Sequence, residues 1–104
     1  MLIDLSSKLE NQPKFIKIGE KSFQVFDDKN NVIKAFQVLK DSEKSEIEGI
    51  DEVLEILLGK KGKKEIDALG LSISGYKVLF TGVMACVNNE TYEQTEQRFQ
   101  DKQK

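Results

Sequence analysis

The chain has 104 residues, 38% hydrophobic and 33% charged, a length that supports one domain around one core. Its 16 basic and 18 acidic side chains leave a net charge of -2, and Arg98 is the only arginine. That balance argues against a dedicated nucleic-acid binder, which needs an excess of Lys and Arg to hold phosphate.

Residues 1–13 scatter Leu2, Ile3, Leu5 and Leu9 among polar side chains, and Pro13 disfavours helix in the residue before it. They read as a flexible arm in which Leu5 and Leu9 form one helical turn or dock on a partner. Asp4 and Glu10 leave no continuous apolar core, so the segment is no secretory signal. Residues 14–26 read as a β-hairpin, with Ile16 and Ile18 on one face of the first strand and Phe23 and Val25 on one face of the second. Gly19-Glu20-Lys21 forms the turn. An isolated hairpin is only marginally stable, so a helix or a partner's strand must cover its apolar face.

Asp27-Asp28-Lys29-Asn30-Asn31 is a polar turn rich in capping residues. It predicts a helix over 31–44, with Val32, Phe36 and Leu39 at i, i+4 and i+7 and Ile33 alongside. Ser45-Glu46-Ile47-Glu48 fits a capping box. The helix that follows carries Ile47, Ile50, Val53, Leu54, Leu57 and Leu58 along one stripe, and Gly59 stands where a left-handed C-cap belongs. Residues 60–64 read as a basic linker and 65–69 as a short helix stopped by Gly70.

Ser72 or Ser74 can cap the next helix, which runs to about Val87. Its Tyr76, Leu79, Phe80, Val83, Met84 and Val87 cover much of the circumference, which predicts a place at the centre of the bundle. The apolar stretch over 78–87 is too short for a bilayer, which takes about 20 residues. Thr91-Tyr92-Glu93-Gln94 is another capping-box pattern, opening a polar helix over 91–100 anchored by Tyr92 and Phe99. Residues 101–104 read as a tail. The expected fold is α+β and mostly α. One domain over 14–100 packs the hairpin (14–26) on a bundle of four to five short helices (31–100), as a soluble, cytoplasmic protein.

No catalytic, metal or cofactor site is expected. The chain has no histidine, so the commonest general base near neutral pH is missing. The single cysteine, Cys86, excludes an intramolecular disulfide and sits among Val83, Met84 and Val87, where it reads as a small buried hydrophobe. Asp51, Glu52 and Glu55 fall opposite the apolar stripe of their helix and read as solvated. Lys60, Lys61, Lys63 and Lys64 form a basic corner that could contact phosphate, but it is no P-loop and no aromatic lies among them to stack a base. The blander reading is that Lys60 and Lys61 complement the negative end of a helix. Phe15, Phe26, Tyr92 and Phe99 are the aromatic side chains least needed by the core, and so the candidates for partner contact.

The segment order resembles a known family. A hairpin spelled Phe15-Ile16-Lys17-Ile18-Gly19-Glu20-Lys21-Ser22-Phe23-Gln24-Val25 leads to an amphipathic helix, then to the acidic, leucine-rich run Ile50-Asp51-Glu52-Val53-Leu54-Glu55-Ile56-Leu57-Leu58-Gly59. A Gly/Lys-rich break, an apolar helix and the polar tail Tyr92-Glu93-Gln94-Thr95-Glu96-Gln97-Arg98-Phe99 complete it. That order and size resemble the small tail assembly chaperones of long-tailed phages and prophages of Gram-positive bacteria. The resemblance covers about residues 14–100 and implies a non-catalytic protein without cofactors. It implies binding the aggregation-prone tape measure protein in the host cytoplasm while tail tube subunits polymerise, with the tail tube protein as a second partner. Such chaperones are absent from the finished virion, and many are also made in a longer, frameshifted form. A free hairpin edge would also permit homo-oligomers. The competing readings are a nucleic-acid-binding or regulatory phage protein using the lysine corner, and a structural tail or head component.

Overall fold

The computed structural model describes residues 1–9 and 12–102, the last two by backbone alone. Residues 10–11 of the expected arm and 103–104 of the expected tail lie outside the described residues. The fold is α+β and mostly helical, with element order β1 (Lys14–Ile18), β2 (Lys21–Val25), α1 (Lys29–Leu39), α2 (Glu46–Ala68), α3 (Ile73–Val87) and α4 (Tyr92–Lys102).

β1 and β2 pair antiparallel, Ile16 opposite Phe23 and Ile18 opposite Lys21. The loop is thus Gly19-Glu20, one residue shorter than expected. Gly19 takes φ 61°, as a two-residue turn with a left-handed first position requires. Directly opposed residues share a face, so Ile16, Ile18, Phe23 and Val25 turn inward together. Phe23 and Val25 are buried against α2 and α3. Lys14 fixes the near end of the hairpin: its ammonium meets Asp27 at 2.9 Å and donates to the Cys86 carbonyl at 3.0 Å, near the negative end of α3.

Asp28 caps α1, accepting from the Asn31 amide at 3.3 Å and from Asn31 Nδ2 at 2.7 Å. This helix departs from expectation twice. It stops at Leu39 instead of running to 44, because Asp41 accepts the Glu43 amide at 3.0 Å in a local turn that competes with helix. It also buries a different face. Ala35 is buried between half-buried Val32 and Val38, while Ile33, Phe36 and Leu39 stay 44%, 39% and 43% exposed. Six apolar residues in eight positions offer two faces, and the one with the small Ala35 lets α1 approach α2 more closely than Phe36 would allow.

Ser45 caps α2, accepting from the Glu48 amide at 3.2 Å. Ile50, Val53, Leu54, Leu57 and Leu58 are all buried and form the middle of the core, whereas Ile47 is only half-buried. Gly59 does hold a positive φ, but at φ 78° and ψ 163° it is an extended break inside α2 and not a left-handed cap. The chain re-enters helix at once, so residues 60–64 are no linker. Lys-rich sequence is good helix-forming material, and buried Ile66 anchors the second half. The break releases the carbonyls of the preceding turn, and the Phe26 amide takes one of them, donating to Leu57 at 2.7 Å.

Ser72, not Ser74, caps α3, accepting from the Gly75 amide at 3.1 Å. Leu79, Val83, Met84 and Ala85 are buried, but Ile73 and Val78 face outward, so the deepest element is α2 and α3 keeps one open side. Thr91 and Gln94 cap α4 reciprocally: the Gln94 amide donates to Thr91 Oγ1 at 3.1 Å, and the Thr91 amide to Gln94 Oε1 at 2.9 Å. The helix continues to Lys102, through the start of the expected tail. Phe99 stacks on Phe80 with centroids 5.9 Å apart. Among the described residues, no helix is long and apolar enough to cross a membrane.

Candidate partner-binding groove

Helix α1 ends on the Asp41 turn, so the chain must cross from Leu39 to the Ser45 cap above α3. The crossing leaves a groove of 420 Å³ between α1, the start of α2, α3 and the end of α4. Val38, Leu39, Ile50, Phe80 and Phe99 give it apolar walls, and Asp41, Lys44, Glu46 and Lys77 a charged rim. Three of these rim charges are paired: Lys44 with Glu52 at 2.6 Å, and Lys77 with Glu46 at 3.4 Å. Bonding to Glu52 raises the Lys44 ammonium pKa, so it stays charged at any physiological pH. Gly49 also lines the groove, and a Cβ there would meet nothing within 4 Å. The exposed Ile33, Phe36 and Leu39 form an apolar ridge along α1 that enters the groove at Leu39.

Of the aromatic candidates, only Phe99 lies here. Tyr92 lines a separate groove beside β1, and Phe15 stands on the outer face of the hairpin. Phe26 covers Gly59, whose Cβ position is 3.3 Å from its ring. The structure does not bring the four together. The sequence pattern places Phe36 and Leu39 in the core and so misses the α1 ridge, whereas Phe80 does pack against the core and also lines the groove. The surplus of apolar residues on α1 was the available signal.

The lysine corner is also rearranged. Lys60, Lys61 and Lys64 are exposed on the second half of α2, but Lys63 turns inward. Its ammonium is held by Asp67 at 2.7 and 2.8 Å and by Asp51 at 3.2 Å, and it lies 5.5 Å from the centre of the Tyr76 ring. The Tyr76 hydroxyl donates to the same Asp51 carboxylate. Lys63 is therefore engaged and unavailable to phosphate, and Asp51 is no free solvated acid. Burial and the bond to Asp51 push the Tyr76 hydroxyl up to about 12. The Tyr76 and Lys63 contacts hold Asp51 below the usual carboxylate range. Burial alone would lower the Lys63 pKa, but its bonds to Asp67, Tyr76 and Asp51 outweigh that and raise it. The result is a structural brace between α2 and α3, with Lys63 and Asp51 charged and Tyr76 neutral near neutral pH.

Cys86 is half-buried, with Sγ 4.0 Å from the Phe15 carbonyl, and burial pushes its thiol up, away from the reactive thiolate. Among the described residues, no three His, Cys, Asp or Glu side chains gather where a metal could sit. Comparison with protein-family models, curated proteins and solved structures finds no match for the chain.

Proposed function

We propose that this chain is a non-catalytic protein-binding module that works as a phage tail assembly chaperone, holding apolar faces of the tape measure protein in the host cytoplasm. The supporting observation is the α1 ridge running into an apolar groove with a charged rim. A client helix with anchors at i, i+3, i+4 and i+7 lays such a face into such a groove. The paired charges around the groove keep the loaded surface hydrated. The segment order of the chain, from hairpin to polar last helix, supports the choice of client.

The test is co-expression with a tape measure fragment. The wild type keeps the fragment soluble and co-purifies with it. Phe36→Asp, which places a charge on the exposed ridge, and Gly49→Leu, which projects a side chain into the groove, abolish capture while the melting temperature stays close to wild type. Absence of rescue and co-purification by the wild type would overturn the reading. The nucleic-acid reading is weakened by the engagement of Lys63 with Asp51 and Asp67.

A further inference from the structure

We infer that the N-terminal arm of one copy docks as a short helix in the groove beside β1 of a second copy. This groove, 480 Å³ in volume, lies away from the proposed client site. Ile16, Ile18, Val78 and Tyr92 line it, and Gly75 and Gly82 lower the surface of α3 along it. Val78 is 55% exposed within it, and a Cβ at Gly82 would meet nothing within 4 Å, so a helix has room to approach.

The occupant is written in the arm. Met1, Leu2, Ile3, Leu5 and Leu9 are each at least half exposed. Leu2, Leu5 and Leu9 are spaced i, i+3 and i+7, the pattern of a helix that docks by one face. The arm already closes a single turn: the Lys8 and Leu9 amides donate to the Leu5 carbonyl at 2.9 and 3.1 Å, and the Ser6 amide to the Asp4 carboxylate at 3.0 Å. Leu2 and Leu9 in a helix are about 10 Å apart, the same rise as from Gly75 to Gly82. Lys17 at the groove supplies a positive charge for Asp4.

Among the described residues of one chain, neither surface covers the other. The radius of gyration is 15.0 Å, against about 13 Å expected for a compact chain of this length, in keeping with an arm that stands off the body. A chain that displays an apolar segment and an unfilled apolar groove meets its complement in a second copy. Mutual exchange of arms closes a two-fold dimer with two identical joints.

Analytical ultracentrifugation of the full chain over a concentration series tests this. The wild type is a dimer. Leu5→Asp in the arm and Gly82→Leu in the groove each weaken dimerisation by roughly tenfold or more, with unchanged circular dichroism. Mixing these two variants restores association, because one intact arm then meets one intact groove. A wild type that stays monomeric at every concentration, or a dimer that neither substitution weakens, would overturn the inference. So would a monomer whose own arm is protected from hydrogen exchange. None of these outcomes depends on the tape measure protein.

Discussion

Gly59 and Gly62 sit three residues apart in α2, and alanine at the two sites should shift stability in opposite directions. Gly59 has φ 78° and ψ 163°, a region essentially closed to residues with a Cβ, and forcing alanine there costs about 1–3 kcal/mol. The new Cβ would also lie 3.3 Å from the Phe26 ring. That ring is partly exposed and can yield, so the backbone supplies most of the penalty, and a net loss of about 2–3 kcal/mol is expected. At Gly62 the backbone is helical and the new Cβ would make an ordinary 3.4 Å contact with Leu58, so alanine gains about 0.5–1 kcal/mol. For a domain of this size these values convert to a fall of roughly 10–20 °C and a rise of a few degrees in Tm. Thermal melts followed by circular dichroism at the helix band read both shifts, and urea titration checks that the slope is unchanged. If Gly59→Ala stabilises the protein as Gly62→Ala does, α2 is a continuous helix and the account of the break is wrong.

Thr95 is wholly buried on α4, and among the described residues its hydroxyl has no hydrogen-bond partner. Thr95→Val should therefore stabilise by about 1 kcal/mol in urea titration, and a loss would show that the hydroxyl is satisfied. The Tyr76 hydroxyl is raised from 10.0 to about 12 in the fold, so the unfolded chain loses this proton first. Its contribution is complete below pH 10 and disappears as the pH rises towards 12. Melts across that range should show a decline that Tyr76→Phe reduces, and ultraviolet titration should place one of the two tyrosines near the upper value. Phe99→Ala removes half of the aromatic stack at the groove and should cost about 1.5–2.5 kcal/mol, less than a fully buried phenylalanine. An unchanged melting temperature would mean that α4 does not hold the groove wall.

Much of the fold is legible because its signals are local. The pairing of β1 with β2 follows from alternation about Gly19, and three helix starts follow from Ser45, Ser72 and Thr91, whose side-chain oxygens each accept an amide hydrogen within three residues. The errors arise where a long-range contact chooses between local alternatives. Six apolar residues on α1 allow two buried faces, and only the approach of α2 selects Ala35. The run Gly59-Lys60-Lys61-Gly62 has the composition of a loop, yet the anchoring of Ile66 in the core keeps the segment helical. Lys63 reads as one more surface charge until α3 brings Tyr76 beside it. The proposed binding surface was hidden for the same reason: residues assigned to the core became the ridge once α1 turned another side to α2.

The bond from the Phe26 amide to the Leu57 carbonyl ties the end of the hairpin to the elbow of α2. The direction of residues 60–68, and with them the Lys63 brace to α3, is therefore set partly by an element far away in the chain. Peeling the hairpin away would strip the elbow of its latch and leave Gly59 free to pivot. The least regular residue of the longest helix thus makes the small sheet a keystone for the helices beneath it.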